Sequence, residues 1–402
     1  MKFAHLADCH VGGWNEPRLK QLGIDSFKLA IENCLKENVG FVLISGDLFN
    51  TALPGIEIVK DVAYELRRLK DNDIECYVVP GSHDFSPSGK TMLDVLEKSG
   101  LLYNVFKIQD GKLLITEDKT GAKITGVLGL AGGLDKNVYK QLDFSDVENC
   151  KGYKIFMLHT TIDEFKPNGM DNIKGEELSS LPRNFDYYAA GHVHYLFDKK
   201  IGNGLLVYPG PVFPNNFKEL EELKHGGMCI YDSKTGLKRI QLKIKDTENY
   251  YFDVNDKTPG EAEEEILKRV KNFKDKIILL RLDGVLREGG VNNIDFKRVL
   301  SELKDAYCVL KNTSKVSSKE FQEFNIEEGD VEDIEKKIIE EHLGQVKVGF
   351  NELEFVNALM KVLDDEKLEG ERNSDFEARI EKNVVTALKL GKIWGNNAAE
   401  EN

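Results

Sequence analysis

The chain has 402 residues, 41% apolar and 31% charged, with a formal net charge of −14; that is enough apolar material for a packed core and too much for a wholly disordered chain, and at ~100–200 residues per domain it predicts two or three domains. No stretch approaches the roughly 18 uninterrupted apolar residues of a membrane span, the opening MKFAHLADCH makes a poor secretory signal, and six scattered cysteines without a CxxC pair argue against a disulfide framework and fit a reducing cytosol. The charge is uneven, net −4 over residues 1–250 and −10 over 251–402, so no overall basic footprint marks a polyanion partner, although local patches and bound cations lie outside that count.

Over residues 1–235 two patterns alternate. The runs FAHLADCH, FVLISGDLF, CYVVPGSHD, KIFMLHT, YYAAGHVH and LLVYPGPVF are nearly continuous in apolar residues, with Gly, Asp or His at their ends. Between several of them apolar residues recur at helical spacing, over 27–35 (Phe27, Ala30, Ile31, Cys34, Leu35), 58–69 (Val59, Val62, Ala63, Leu66, Leu69) and 92–96. Buried strands alternating with helices predict an α/β layered fold. The residues with reactive chemistry fall just past the strands' C-terminal ends, the edge where α/β sheets usually bind ligands.

After Lys245 the composition changes. Residues 246–320 predict a small α/β unit: strand 250–254, helix 262–272, strand 276–282, helix 295–304 and strand 307–311. An acidic linker, 320–335, leads to amphipathic stripes over 331–343, 352–363 and 376–390. Such stripes must be buried against something, and their distance from the other elements favours a partner over intramolecular packing. The polar tail 395–402 is expected to fray. The expected domains are 1–240, 246–320 and 325–395.

Five of the eight histidines lie in strand-end motifs. In order these are Asp8-Cys9-His10, Gly46-Asp47, Gly81-Ser82-His83-Asp84, His159 and Gly191-His192-Val193-His194. In extended backbone, residues i and i+2 share a face. Asp8 and His10 are therefore expected to face one side, and His192 and His194 likewise. With Asp47 and His159 they supply two carboxylates and four imidazoles, enough for two cations sharing a bridging carboxylate. Imidazole and carboxylate without thiolate suits Mn, Fe or Zn. Two such ions ~3.5–4 Å apart can hold and orient one hydroxide for in-line attack at phosphorus. Gly46, Gly81 and Gly191 precede the ligands, where a tight turn or close backbone approach is needed. Each motif alone is weak; the ordered set at strand ends is specific. Cys9, between two ligands, is expected to be a packed thiol.

The ordered set resembles the calcineurin-like metallophosphoesterase superfamily. With Gly-Asp-Leu-Phe, the chain length, the small α/β unit and the helical C-terminal part, it most resembles the archaeal members of the SbcD / meiotic-recombination-eleven family of DNA double-strand-break repair nucleases. The resemblance implies a sandwich of β-sheets flanked by helices, a capping domain that binds DNA, and a helical C-terminal segment. It implies that Asp8, His10 and His194 hold one metal, His159 and His192 the other, and that Asp47 bridges them. His83 does not ligate but stabilises charge on the phosphodiester or protonates the leaving oxygen, with Asp84 orienting its ring. The usual cofactor is two Mn2+, with Mg2+, Zn2+ or Fe2+ as substitutes. The implied activities are 3′-to-5′ exonuclease on duplex ends and endonuclease on single strands. The implied partners are a second copy through helices of the nuclease domain, and an SbcC/Rad-fifty type coiled-coil ATPase through the C-terminal helices. The setting is cytoplasmic and chromosome-associated.

Two positions depart from the family pattern. Ser82 stands where the family usually has an Asn ligand, which predicts weaker affinity for the second metal. Asn50 stands where many relatives place a His near the phosphate, which leaves the balance of exonuclease and endonuclease open. Two other readings compete: a phosphatase or cyclic-nucleotide phosphodiesterase with the same metal chemistry, and a weakly catalytic scaffold that bridges DNA ends. Pro87–Thr91 ends like a phosphate loop but lacks its first Gly, since Asp84 stands there; it predicts a loop into a helix over 91–98.

Overall fold

The computed structural model describes residues 1–86, 89–130, 135–166, 175–319, 352–363 and 373–387. They divide into two compact units. The first comprises residues 1–250, 272–280 and 303–312.

Its first sheet begins with β1 (Lys2–Leu6), β2 (Phe41–Ser45), β3 (Glu75–Val79) and β4 (Tyr103–Asn104), all parallel. Between them run α1 (Pro17–Lys36), α2 (Ile56–Asp71) and α3 (Met92–Lys98). Strand β2, FVLIS, is buried along its whole length because both faces are covered. Val42 and Ile44 pack with Phe27, Ala30 and Ile31 of α1 and with Val62, Leu66 and Leu69 of α2. Phe41 and Leu43 point the other way, into a second core. Helix α1 is longer than the 27–35 stripe. It starts at Pro17, with Glu16 accepting from the Leu19 amide as a cap. Its first turns bury Leu19 and Leu22 in a separate cluster with Phe213 and Leu220, which is why they fall off the main stripe.

The second sheet has the order β11–β12–β10–β9–β8–β7: Phe197–Ile201, Gly204–Tyr208, Tyr187–Gly191, Lys154–His159, Lys123–Val127 and Thr116–Glu117. Its inner residues Ile155, Met157, Tyr187, Ala189 and Val207 meet Phe3, Phe41 and Leu43 of the first sheet. Phe3 stacks on Phe41 at 5.0 Å and takes Tyr187 edge-on at 5.0 Å. The expected sandwich of sheets with flanking helices is what forms. A hairpin, β13 (Gly226–Asp232) and β14 (Gly236–Leu242), extends the first sheet beyond β1. The sequence reading missed β8, β11 and this hairpin. Edge strands such as FDKKI of β11 and GLKRIQL of β14 are largely or partly solvent-exposed, so they lack the continuous apolar run that marks a strand buried on both faces.

The remaining elements are β15 (Thr247–Asp253), α7 (Pro259–Arg269), β16 (Ile277–Leu286), α8 (Phe296–Glu302) and β17 (Cys308–Ser318). The three strands form one sheet in the order β15–β16–β17. Helix α7 opens on a capping box between Thr258 and Glu261. In the second unit Arg298 pairs with Glu263 at 2.6 Å and Glu264 at 2.7 Å. Strand β17 runs well past the expected 307–311, through alternating Ser, Thr and Lys. Near the C-terminus, helices Glu352–Leu363 and Asn373–Ala387 pack on each other. The stripe 331–343 and the linker 320–335 lie outside the described residues. Among the described residues no helix is long and apolar enough to cross a membrane.

Candidate metal centre

Strand β1 ends at Leu6, two residues before the first site residue. Asp8 (φ 50°) and His10 (φ 41°) are both left-handed. The expectation that extended backbone aligns them is therefore corrected: consecutive turns bring the two side chains to one place. Asp47 (φ 52°) and His192 (φ 93°) are also left-handed. Such positions cost of order 1–3 kcal/mol each unless the surroundings fix them. Here they do, because pairing between the ends of β1 and β2 continues past both strands. The Asp8 amide donates to the Gly46 carbonyl at 3.2 Å, His10 to Asp47 at 2.9 Å and Val11 to Leu48 at 3.0 Å.

His159 is the last residue of β9 and shares a face with Ile155 and Met157, so strand alternation aims it into the sandwich. Its Nδ1 donates to the Ser45 carbonyl at 2.8 Å. A carbonyl only accepts, so Nδ1 carries a proton, and Nε2 is the atom that faces the centre, 3.1 Å from Asp47 Oδ2. Asp47 Oδ1 accepts from the His83 amide at 2.8 Å, and Oδ2 lies 3.6 Å from His10 Nε2. Asp8 Oδ1 accepts from the His192 amide at 2.8 Å and lies 3.7 Å from His194 Nε2. The structure thus draws Asp8, His10, Asp47, His159 and His194 into one buried cluster. Asp8 with His10 and His194, and Asp8 with Asp47 and His159, each present ligand atoms within 4.8 Å of one another. The His192 ring stands 5.2 Å from that of His159. His83 is exposed at the rim, its ring 4.8 Å from that of His10. Ser82 is half-buried in the turn between Gly81 and His83.

Two glycines make this packing possible. At Gly46 (φ 82°) a Cβ would stand 2.0 Å from His159 Nδ1, and at Gly81 it would stand 2.2 Å from Asp47 Oδ1.

The donor set fits divalent cations. Asp8 Oδ2 is buried without a hydrogen-bond partner, a cost of about 1–3 kcal/mol that a ligated ion or its water would relieve. Electrostatics in the metal-free protein point the same way. Burial acts to lower His159, but the Asp47 carboxylate overrides it and lifts the ring to about 10. Burial depresses His10 to about 3, against the pull of Asp47. Burial also depresses His192, to about 4, with His159 adding to it. Asp47 itself is held low despite its burial, chiefly by His159.

One expected role is corrected. Asp84 does not orient the His83 ring. Its carboxylate accepts from the amides of Leu48, Phe49 and Gly81, each at 3.1 Å, and so staples the second motif loop to the third. The ring is oriented by Asn50, whose carbonyl accepts from His83 Nδ1 at 2.9 Å. Cys9 is the expected packed thiol, fully buried and pushed far up by that burial. Pro211 bridges to Ala7 beside Asp8.

The calcineurin-like phosphoesterase family matches residues 1–196. The DNA double-strand break repair protein Mre11 of Methanocaldococcus jannaschii is 28% identical over 77% of this chain and 82% of its own length. Its namesake in Sulfolobus acidocaldarius is 29% identical over 71% and 76%, and that of Methanococcus maripaludis 25% over 69% and 77%. The chain resembles the Mre11/SbcD family over most of its length. It is a metal-dependent phosphoesterase, and the Mre11/SbcD match extends well beyond the 196 residues that carry the phosphoesterase motifs.

One neighbour of the cluster escaped the sequence reading. Glu219, on the short helix α6 (Phe217–Leu223), places Oε1 2.9 Å from His194 Nδ1. The signal available was Asn216 followed three residues later by Glu219, a helix-start pattern right after the Pro-Gly-Pro turn. A glutamate in a helix start ordinarily reads as a solvated cap.

Proposed function

We propose that the chain is a manganese-dependent DNA nuclease of double-strand-break repair, cleaving duplex ends 3′-to-5′ and single strands internally. The observation that carries this reading is the convergence of Asp8, His10, Asp47, His159 and His194, with His192 beside them, in a chain that resembles the Mre11/SbcD family. In this reading Asp8, His10 and His194 hold one Mn2+, His159 and His192 the other, and Asp47 spans both. Ser82 or water completes the second set. Two bound cations supply Lewis acidity at phosphorus and an activated water.

The chain's own residues divide the remaining work. The Asn50 carbonyl holds the Nδ1 proton of His83, so in the doubly protonated ring Nε2 is the atom that gives its proton to the leaving oxygen, and Nδ1 keeps its own. Exposure of His83 at the rim lets that nitrogen reach a phosphodiester laid across the centre. Asp84 holds the two loops that carry Asp47 and His83 in register. Residues 246–320 act as the DNA-contacting cap, the C-terminal helices dock an SbcC/Rad-fifty type ATPase, and the nuclease part pairs with a second copy.

The test is an assay with Mn2+ on end-labelled duplex and on single-stranded circles, beside nitrophenyl phosphate. Asp8→Ala and His83→Leu are expected to abolish DNA cleavage and leave DNA binding intact. Turnover of nitrophenyl phosphate without DNA cleavage would overturn the nuclease assignment. Removing residues 325–402 is expected to abolish co-purification with the ATPase while sparing cleavage.

A further inference from the structure

His194 needs a free lone pair on Nε2 to serve the centre, and that nitrogen faces Asp8 Oδ1 at 3.7 Å and His10 Nε2 at 3.1 Å. The other nitrogen, Nδ1, lies 2.9 Å from Glu219 Oε1, within ion-pair distance although the angle makes no hydrogen bond there. A carboxylate that turns to accept from the second nitrogen of a histidine settles which nitrogen carries the proton. We propose that Glu219 is a positioning residue for the metal centre, holding His194 in the Nδ1–H tautomer with Nε2 aimed at the cation; this rests on the metal centre described above.

The carboxylate is itself held. Its Oε2 accepts from the Asn215 amide at 2.7 Å, and Oε1 also takes the Asn216 side-chain amide. The Glu219 amide donates to Asn216 Oδ1 at 3.0 Å. Leu220, the next residue of α6, is buried among Leu19, Leu22 and Phe213, which anchors the helix. The support reaches further. Asn215 Nδ2 donates to Asn50 Oδ1 at 3.3 Å, and the Asn50 carbonyl accepts from His83 Nδ1. One strut therefore runs from a metal-facing histidine to the proton-donating one. A plain helix cap accounts for the Asn216 contacts but not for a carboxylate at 16% exposure turned onto His194.

Glu219→Gln separates the two roles. Its amide oxygen still accepts from Asn215, while its NH2 faces His194 Nδ1 and the exposed Asn216 side chain turns its own amide away. The ring then favours its proton on Nε2, and ligation has to move that proton first. Glu219→Asp keeps the charge with one methylene less reach. The experiment uses the full chain freed of metal, with Mn2+ as the probe in calorimetry, metal-free thermal melts, and nitrogen NMR of the His194 ring. The expected result is a ~10–100-fold loss of affinity at one site in Glu219→Gln, an unchanged metal-free melting temperature, a proton moved from Nδ1 to Nε2, and partial recovery in Glu219→Asp. Wild-type affinity in Glu219→Gln would overturn the assignment. A collapsed metal-free melt in Glu219→Gln together with wild-type affinity in Glu219→Asp would overturn it too, leaving only a structural role. Wild-type protein that takes up no Mn2+ would remove the metal centre itself, and this assignment with it.

Discussion

His10 Nε2 and His194 Nε2 face each other 3.1 Å apart, 184 residues distant in sequence. Two imidazole lone pairs at that spacing repel unless a proton or a cation lies between them. The structure holds this pair at a spacing that a shared proton or a shared cation would satisfy.

The consequence is a metal-linked stability. Mn2+ at 100 times its dissociation constant is expected to stabilise the fold by about 2.7 kcal/mol per site, through binding to the folded state alone. Thermal melts with and without Mn2+ read this directly. His10→Ala is expected to erase most of the shift, and a wild-type melt indifferent to Mn2+ would contradict the pairing.

Ser82 is expected to make the two proposed sites unequal. Its hydroxyl is neutral and reaches less far than an asparagine amide. Ser82→Asn is expected to tighten the weaker Mn2+ site and leave the stronger one alone. Titration of both proteins by calorimetry decides the point, and identical isotherms would rule it out.

Asp84 and His83 are neighbours with opposite expected phenotypes. Asp84→Ala leaves three buried amides without an acceptor, so stability is expected to fall by several kcal/mol, at about 1–3 kcal/mol for each unsatisfied group. His83 is exposed, and His83→Leu is expected to shift stability by no more than about 0.5 kcal/mol while lowering cleavage ~10²–10⁴-fold. Urea melts beside rate measurements test both. An Asp84→Ala protein as stable as wild type would show that the loops need no staple.

His5 makes metal-free stability depend on pH. Its ring is fully buried between the hydroxyls of Tyr187 and Ser45, each at 3.0 Å. Burial, with Arg239 adding to it, depresses it to about 3 from an ordinary 6.5. A depressed value means that the folded state binds fewer protons than the unfolded one between those limits. Stability is then full above pH 6.5 and is lost as pH falls toward 3. His10 and His192 act in the same sense. Buried Asp84, raised to about 7, acts in the opposite sense, so the expected reading is a difference: from pH 7 to 4 in urea, metal-free wild type loses more stability relative to its pH 7 value than His5→Gln does. An equal slope in the two proteins would exclude His5 as a contributor.

The amino-acid sequence determined the elements whose burial is two-sided or strongly periodic. The run FVLIS became β2, and the stripe over 352–363 became a helix with those bounds, because local apolar pattern and burial are the same physical fact. It also marked residues that the structure draws together, since Asp-x-His, Gly-Asp and Gly-His-x-His sit where strands must end. What only the tertiary structure decided was which atoms meet. Left-handed turns at Asp8 and His10 replaced the extended alternation, and they hold only because the ends of β1 and β2 pair across the sheet. Asp84 turned from its sequence neighbour to three amides, two of them on another loop, and Asn50 took its place against the ring. Glu219 reached His194 from a short charged helix that reads as solvated surface. Hydrogen-bond partners are chosen by distance and direction in space, and sheet register, which sets both, joins residues far apart in the chain.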